Sequence, residues 1–546
     1  MYKDLTIYYS LGTVATVLFS IAYALIISKY NYKIKKSHVI ILIGCSIFML
    51  VFQVLKYHSL RFYVDFSHWT NLLHNISSTG KPYSSFHEML KPGSLNYLSV
   101  HFVPLIYLIA IPFKIFPYSE TLIVVNYIIM VSAGIPLYKI SYHYYKDQFL
   151  SLMIVACLFW YMTFQYIVLY EFEMLRLSIP IILWVLYFFE VQKFKPYFIT
   201  LFLAVLVREE VGLTIFMFGI YLMIFDRKKL IGMWSSIIGL GGFLIITQFI
   251  MPLFRADSYQ HIAMGSFSKV GNSEIDIIKN IIFNPITVIS AIFDYELVIK
   301  LANIFMYFLP LLFIPILSYR TLIPILAPFG IGFLSGHITH SSYMLYYASS
   351  ALPFIFYSLI KGWDKYLKIL QSVISKLIKK REVNILNTAM GTLLTAVLIS
   401  NIIFGSSPFS LQFWFKDIRP APFNTQNHHF TAYKINAHNS LANSITELVP
   451  DTSIVACPAF LFPRVFNKKN AAYLNNRESS FDVLSNIREK DKIVTYIFFD
   501  TKNENLSMKR YEVTTNRILD YIKANNKNWE LIKSVDGYYL YKRVDA

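Results

Sequence analysis

The sequence has 546 residues, and its composition excludes a soluble protein. Hydrophobic residues make up 55% of the chain and charged residues only 15%, with a mean hydropathy of +0.48, which is more apolar surface than one soluble core could bury. The formal net charge of +18 does not indicate nucleic-acid binding, because Lys and Arg cluster in short loops between apolar runs, as on the cytoplasmic side of membrane proteins. The composition therefore predicts a polytopic protein of the cell membrane.

Apolar runs follow one another from the amino terminus to Phe404. They predict about twelve membrane-spanning helices. The runs begin at Thr6, His38, Thr121, Phe149, Leu177, Tyr197, Val211, Ile231, Leu301, Leu322, Met344 and Val383. The first run lacks a preceding basic flank and is followed by "NYKIKK", which predicts an uncleaved anchor with its amino terminus outside the cytoplasm.

One further apolar run, "VHFVPLIYLIAIPFKIF" at 100–116, does not fit as a crossing. The basic loops fall on one side of the membrane only if this run stays on the external side. We therefore predict a re-entrant or interfacial helix, interrupted by Pro104 and Pro112, within a large external loop at residues 57–119.

The composition changes to soluble character after Phe404. The segments "TSIVACPAFLF" and "DKIVTYIFFD" are typical of buried strands, "SFDVLSNI" and "TNRILDYIKANN" of helices, and "ELIKSVDGYYLYKR" of a hairpin with a turn at Asp536 and Gly537. The predicted fold is thus an all-α membrane bundle at residues 1–404 followed by a small α/β domain at residues 405–546 outside the cytoplasm. We expect this domain to bind an acceptor or to cap the bundle.

Asp65 lies just beyond the second predicted span among aromatic residues. The residue types alone favour an interfacial aromatic belt with a carboxylate that faces water. A catalytic carboxylate at the external bilayer surface is the alternative.

Two other polar segments interrupt apolar sequence. In "YEFEMLR", Glu171 and Glu173 precede Arg176, which allows either a local Glu173–Arg176 pair or a functional site. In "VREE", Arg208, Glu209 and Glu210 lie at membrane depth, which favours a functional site over a buried ion pair between short helices.

A third polar segment, "GHITHSSYMLYY", follows a later run. His337 and His340 could act in proton or phosphate handling or remain polar loop residues. Beside them, Tyr343, Tyr346 and Tyr347 are either platforms for sugar rings or part of the membrane-interface belt, and the belt is favoured.

The order of these segments resembles lipid-linked-sugar transferases of the GT-C fold, which include oligosaccharyltransferases, protein O-mannosyltransferases and aminoarabinose transferases. Asp65 after a span, "TGKPY", "HFVPL" at 101–105 and the small-residue helix "VSAGIPLYKISYHYY" follow in the order of those families. The match is closer to an uncharacterised family of bacterial and archaeal predicted membrane proteins, in which "YEFEMLRLSIP", "LVREEVGLTIFMFGIYL" and "HSSYMLYYASSALPFIF" also have places. The resemblance covers the membrane region and thins out after Phe404.

The resemblance implies a glycosyltransferase that uses a polyprenyl-phosphate-linked sugar and a glycan, lipid or protein acceptor. Its catalytic residues would come from the acidic segments: Asp65, Glu171, Glu173, Glu209 and Glu210. Its substrate-binding residues would be His101, Arg176, Arg208, His337, His340 and Tyr343. Asp65, Glu171 and Glu173 would hold a divalent metal, Mg²⁺ or Mn²⁺, although the first loop lacks an Asp-x-Asp pair and leaves metal dependence open.

Two other functions fit the composition. Intramembrane charges also mark transporters and flippases of lipid-linked sugars, but no second copy of "VREE" or "YEFE" indicates the internal repeats of such proteins. A non-catalytic protein of envelope assembly would require the acidic residues to neutralise one another without an open cavity.

Overall fold

The protein is described by a computed structural model covering residues 2–30, 33–86, 95–255, 262–294, 296–377, 383–418, 428–468, 470–485, 493–502 and 509–544. Residues 87–94 of the predicted external loop therefore lie outside the described residues. Most of the described chain is helical, and one five-stranded sheet follows near the carboxyl terminus. The predicted combination of an α-helical membrane bundle and a small α/β segment is confirmed at this level.

Within the described residues, seven helical segments are long and apolar enough to cross a bilayer. They are Ile7–Tyr30, Lys36–His58, Ser119–Tyr145, Lys229–Phe254, Ile314–Leu334, Ile338–Lys376 and Ile385–Phe404. Two bent pairs raise the number to nine if each pair is one span. These are Gln148–Trp160 with Met162–Leu169, bent by 54°, and Ile275–Phe283 with Pro285–Phe293, bent by 103°.

The predicted number of about twelve crossings is not confirmed. Four apolar helices in the described chain have 10–17 residues: Ile106–Ile115, Phe194–Val205, Val211–Ile224 and Leu297–Leu311. At about 1.5 Å per residue, helices this short do not traverse a hydrocarbon layer about 30 Å thick. Hydrophobicity finds such segments, but it does not distinguish a crossing from a short helix packed against its neighbours.

The remaining α-helices are the Asp65 helix, one apolar helix of 13 residues and four helices after Phe404. They are Val64–Thr79, Ser178–Glu190, Leu411–Trp414, Ala437–Thr446, Asp482–Ser485 and Lys509–Ala524. The run at 100–116 forms the helix Ile106–Ile115, which starts after Pro104 and continues through Pro112. Its ten residues rise only about 15 Å, so its placement as a re-entrant or interfacial helix stays a prediction.

Small residues fix the helix that follows "VREE". Val211–Ile224 packs along Lys229–Ile245 through facing glycines, and a Cβ atom on Gly219 would lie 2.5 Å from the carbonyl oxygen of Gly232. A Cβ on Gly239 would lie 2.4 Å from the nitrogen of Phe216. Since the two backbones touch, the start of Val211–Ile224 is held in place, and the segment before it has a defined position.

The carboxyl-terminal sheet has the strand order β2-β1-β3-β5-β4. Its strands are β1 Ile454–Cys457, β2 Asn470–Tyr473, β3 Tyr496–Asp500, β4 Trp529–Val535 and β5 Tyr538–Arg543. Strand β1 is parallel to β2 and β3, whereas β5 is antiparallel to β3 and β4. Both predicted strands and the hairpin are present, and Asp536 and Gly537 make its turn with φ values of 45° and 89°.

The carboxyl-terminal segment packs directly on the helix that carries Asp65. Ser67 in Val64–Thr79 donates to the carbonyl oxygen of Ala459 over 2.7 Å, just beyond β1. Nearby, Ser59 donates to the carbonyl oxygen of Ala432 over 2.7 Å, and the ring of Tyr511 stacks 5.6 Å from Tyr63. The carboxyl-terminal segment therefore covers the end of the bundle where the Asp65 helix begins.

A histidine between two aspartates gives this segment a predicted pH dependence. His438 Nε2 lies 2.8 Å from Asp500 Oδ2 and His438 Nδ1 lies 3.0 Å from Asp536 Oδ2. Burial lowers the pKa of His438, but the hydrogen bonds and charges of the two aspartates outweigh it, so the pKa is raised. The resulting stabilisation is complete below the ordinary histidine pKa and disappears as the pH rises through the raised value.

We expect His438→Gln to lower the melting temperature more at pH 5.5 than at pH 9, because only the protonated ring bridges both aspartates. Thermal unfolding of the purified protein at the two pH values measures the difference. His143→Gln, a change in a half-buried histidine of the bundle, is the control. An equal loss for His438→Gln at both pH values would contradict the charge bridge.

Candidate functional site

Breaks in four helical regions bring the polar segments together. Asp65 lies in the first turn of Val64–Thr79, and His101 lies between the 3-10 turn Tyr97–Ser99 and Ile106–Ile115. The "YEFE" residues follow Leu169, where a bent helix pair ends, and "VREE" separates Phe194–Val205 from Val211–Ile224. Because helices end at these points, their polar side chains can meet without interrupting an apolar face.

Tyr170 and Glu171 hold the start of the Asp65 helix. The Tyr170 hydroxyl donates to Asp65 Oδ2 over 2.5 Å, and the Phe66 amide donates to Glu171 Oε2 over 2.9 Å. A carboxylate at a helix amino terminus is favourable because the first amides lack partners within the helix. Asp65 and Glu171 are therefore neighbours, although they come from two separate segments of the sequence.

Arg208 is the centre of the second half of the site. Its Nη1 lies 3.2 Å from Glu173 Oε1, its Nε lies 3.0 Å from Glu210 Oε2, and its Nη2 lies 2.8 Å from His101 Nε2. The Arg208 side chain is only 7% exposed. One guanidinium therefore binds residues from three separate segments.

Glu209 fixes the other side of the His101 ring. Its Oε1 lies 2.7 Å from His101 Nδ1, and its Oε2 accepts from the Phe102 amide over 2.9 Å. Burial, followed by the charge of Arg208, lowers the pKa of His101 to about 3. His101 is therefore neutral, with Nε2 accepting from Arg208 and Nδ1–H donating to Glu209.

The two glutamates of "YEFE" have pKa values near neutrality. Burial, together with the charge of Asp65, raises the pKa of Glu171 to about 8. Burial also raises the pKa of Glu173 to about 7, although the charge of Arg208 partly opposes this rise. Carboxyl groups with such values can hold or release a proton around pH 7.

Arg176 belongs to a polar chain inside the bundle. Its Nη1 donates to Asn126 Oδ1 over 2.8 Å and its Nη2 donates to the carbonyl oxygen of Glu171. Asn126 in turn donates to Gln53 Oε1 over 3.1 Å. The predicted alternative of a local Glu173–Arg176 pair is wrong, because Glu173 turns to Arg208 and Arg176 is fully buried among these amides.

Four residues of this network were missed by the sequence interpretation. Gln53 and Asn126 are single polar residues within apolar spans, and Tyr170 precedes the acidic segment. Lys56, also buried, donates to the carbonyl oxygen of Leu169 over 3.3 Å beside Glu171. The interruption of "MLVFQVLKYH" by a glutamine and a lysine was the available signal.

The predicted residues of "GHITHSSYMLYY" separate into two groups. Tyr343 is fully buried and packs 6.1 Å from Tyr166, in the bundle core. His340 lies 4.3 Å from the ring of Tyr347, and its Nδ1 lies 2.6 Å from Ser335 Oγ. His337 is exposed, with its ring 5.8 Å from His340. The belt interpretation is wrong for Tyr343 and Tyr346, because neither ring faces the outside of the bundle.

The site contains one set of side chains that could hold a metal ion, among the residues that the structure describes. The ligand atoms of His101, Glu209 and Glu210 lie within 4.8 Å of one another. The predicted set of Asp65, Glu171 and Glu173 does not converge in this way. Glu171 turns instead to the Phe66 amide and Glu173 to Arg208.

Only part of the cluster can be reached from outside. Asp65 is half-buried, and the side chains of His101 and Glu210 are 19% and 21% exposed. In contrast, Glu173 and Glu209 are buried. A molecule that approaches the site therefore meets Asp65, His101 and Glu210 first.

The chain belongs to the DUF2079 family of predicted membrane proteins. Residues 65–540 match this family, so the match starts at Asp65 and extends to the last strand of the sheet. The predicted membership of an uncharacterised membrane-protein family is confirmed. The match also includes the carboxyl-terminal segment, for which the sequence resemblance was expected to fade. No curated protein matches the chain.

We predict that the folded state of this DUF2079 protein requires the Arg208 ion pairs for its stability. Arg208→Met would leave Glu173 and Glu210 without their cation, and breaking a buried ion pair costs about 3–5 kcal/mol. We expect a large loss of stability in detergent-solubilised protein, measured by denaturant unfolding with tryptophan fluorescence. Arg320→Met, an exposed arginine, should change little. Equal stability of wild type and Arg208→Met would rule out the bridging role.

Proposed function

We propose that this protein is an integral-membrane glycosyltransferase of the GT-C type. It would transfer a sugar from a polyprenyl-phosphate-linked donor to an envelope glycan, lipid or protein on the external face of the membrane. The observation that carries this proposal is the meeting of the acidic and basic segments beside half-buried Asp65, under the carboxyl-terminal segment. The bundle would have its amino terminus and its carboxyl-terminal domain outside the cytoplasm.

In the proposed reaction, an acceptor hydroxyl or amide attacks the anomeric carbon of the donor sugar. The bond between that carbon and the phosphate oxygen breaks, and the phosphate leaves with the electron pair. Asp65 accepts the proton of the acceptor as general base. Tyr170 supports this role because its hydroxyl group orients the Asp65 carboxylate. Asp65 itself is half-buried and lies at the accessible edge of the site.

Arg208 is the proposed partner of the phosphate. It lies beside His101 and Glu210, the accessible residues of its half of the site, and guanidinium groups bind phosphate oxygens in pairs. Arg176 is fully buried, with Asn126 and the Glu171 carbonyl as partners. We therefore assign Arg176 to positioning Glu171 and not to substrate binding.

The donor set His101, Glu209 and Glu210 fits a divalent metal in its chemistry. One imidazole and two carboxylates suit Mn²⁺ better than Mg²⁺, which prefers oxygen ligands alone. Arg208 contacts His101 Nε2 and Glu210 Oε2, so a metal would replace these contacts. When bound, the ion would neutralise negative charge on the donor phosphate.

The base assignment predicts loss of transfer in Asp65→Asn. The substitution preserves size and hydrogen bonding but removes the charge and most of the basicity, so transfer should fall by about a hundredfold to ten-thousandfold. Transfer of labelled sugar from a polyprenyl-phosphate donor to a crude envelope acceptor measures the effect. Asp520→Asn, the same change at a side chain that is 77% exposed, is the matched control.

Equal transfer by wild type and Asp65→Asn would remove Asp65 as the base. Equal losses in Asp65→Asn and Asp520→Asn would indicate a general effect of charge. Melting curves of both variants should coincide with that of wild type, because Asp65 is not fully buried.

The metal assignment predicts Mn²⁺ binding that does not depend on turnover. Titration of the protein with Mn²⁺, followed by electron paramagnetic resonance, should show bound ion in wild type. Glu210→Gln should weaken binding at least tenfold because it removes one anionic ligand. Glu530→Gln, an exposed glutamate on β4, should bind like wild type. Wild-type affinity in Glu210→Gln would exclude this set as the metal site.

A further inference from the structure

Two apolar cavities lie between the short helix Ile106–Ile115 and the span Ser119–Tyr145. The larger has a volume of about 550 Å³ and the smaller a volume of about 220 Å³. Val125 lines both cavities, so they adjoin along the two helices. Every residue that lines the smaller cavity is aliphatic. Together the two cavities form an open channel for apolar groups, which we call the apolar groove.

The lengths of the two helices explain why space remains between them. The first helix ends at Ile115, since Pro117 disfavours helical geometry for the residue before it. Its ten residues rise about 15 Å, whereas the 27 residues of Ser119–Tyr145 rise about 40 Å. The short helix therefore covers only part of the span. Its apolar residues recur at the spacing of one helix face, and this face borders both cavities: Leu105, Leu108, Ile109, Pro112 and Phe116.

Protein surrounds the smaller cavity on several sides. Besides the two helices of the groove, Ile181 of Ser178–Glu190 and Leu203 of Phe194–Val205 line it. Four helices thus contribute to its wall. The smaller cavity is therefore a crevice within the bundle and not the flank of a single span.

The walls of this crevice continue into the polar site. Leu105 follows His101 in the connection before Ile106–Ile115, and Leu203 precedes Arg208 by little more than one helical turn. His101 and Arg208 contact each other over 2.8 Å. A hydrocarbon chain in the groove would therefore bring a headgroup at its end close to these two residues.

The charges around Arg208 allow an anionic headgroup to approach. Three buried cations, Lys56, Arg176 and Arg208, lie among the five carboxyl groups of the site. Glu171 and Glu173 have pKa values of about 8 and about 7, so both can be protonated near pH 7. A protonated Glu173 would leave one side of the Arg208 guanidinium for a phosphate oxygen.

From these observations we propose that the apolar groove holds the polyprenyl chain of the donor, with its phosphate at His101 and Arg208. This inference rests on the proposed transferase function, whose donor it places. The size of the crevice favours this occupant over a phospholipid of the bilayer. At about 220 Å³ it is smaller than the roughly 300–1,000 Å³ of pockets for drug-sized molecules, so it admits a segment of one chain and not two chains side by side.

Native mass spectrometry tests the groove without requiring sugar transfer. The full-length protein in detergent is titrated in turn with decaprenyl phosphate, decaprenol and dioleoyl phosphatidic acid. We expect decaprenyl phosphate to bind with a dissociation constant about tenfold or more below those of the other two. Decaprenol lacks the phosphate, and phosphatidic acid carries two chains on the same headgroup.

Tryptophan substitutions distinguish binding in the groove from binding elsewhere on the bundle. Val125→Trp adds volume at the wall that both cavities share and should raise the dissociation constant of decaprenyl phosphate about tenfold. Val124→Trp lies on the larger cavity at a side chain that is 40% exposed, so it should fold and raise the constant about threefold. Val14→Trp, the same change at a side chain that is 53% exposed on another span, should bind like wild type. A melting curve of each variant shows whether it is folded.

Wild-type affinity in folded Val125→Trp and Val124→Trp, or absence of decaprenyl phosphate binding by wild type, would overturn the groove. Equal affinity for phosphatidic acid would overturn the choice of occupant, and equal affinity for decaprenol would overturn the position of the phosphate. If decaprenyl phosphate binds through Val125 but the protein transfers no sugar, the groove stands and the transferase function fails. Sugar transfer by wild type, with unchanged lipid binding and transfer in Val125→Trp, would have the opposite meaning.

Discussion

The ion contacts of Arg208 are the interaction on which the rest of the site depends. The residue binds Glu173, which precedes it by 35 positions, and His101, which precedes it by 107. These partners lie on segments that are not continuous helices, so hydrogen bonding within a helix does not fix their relative positions. Charges removed from water remain stable only with close partners of opposite sign, and this requirement brings the segments together.

The acidic segments could be predicted from sequence because charge at membrane depth is costly and therefore rare. "VREE" and "YEFE" stood out for this reason, and both lie in the cluster. Their pairing could not be predicted, since Arg176 is three residues from Glu173 but the cation that binds it is Arg208. Gln53 and Asn126 were missed because one amide in an apolar span is common, and its partners are known only when the spans are packed.

The fold was predicted well where local chemistry decides it and poorly where packing does. Asp536 and Gly537 adopt the positive φ values that a tight hairpin requires, and their order in the sequence predicted the turn. Strand β2, "NAAY", was missed because it lacks the β-branched residues that indicate β1, "IVAC", a strand of the same length. The predicted number of crossings is not confirmed, because short helices such as Phe194–Val205 are as apolar as the helices that are long enough to span.

The short helices on either side of Arg208 also affect how the chain enters the bilayer. Phe194–Val205 has 12 residues and Val211–Ile224 has 14, and an arginine at the centre of an inserting helix costs about 2.5–3.5 kcal/mol. Release of this segment into lipid is therefore unfavourable until its partners are present. His101 and Glu173 both precede Arg208 in the chain, so synthesis from the amino terminus makes them before the arginine emerges from the ribosome. During synthesis, the partners His101 and Glu173 are therefore already present when Arg208 must be paired.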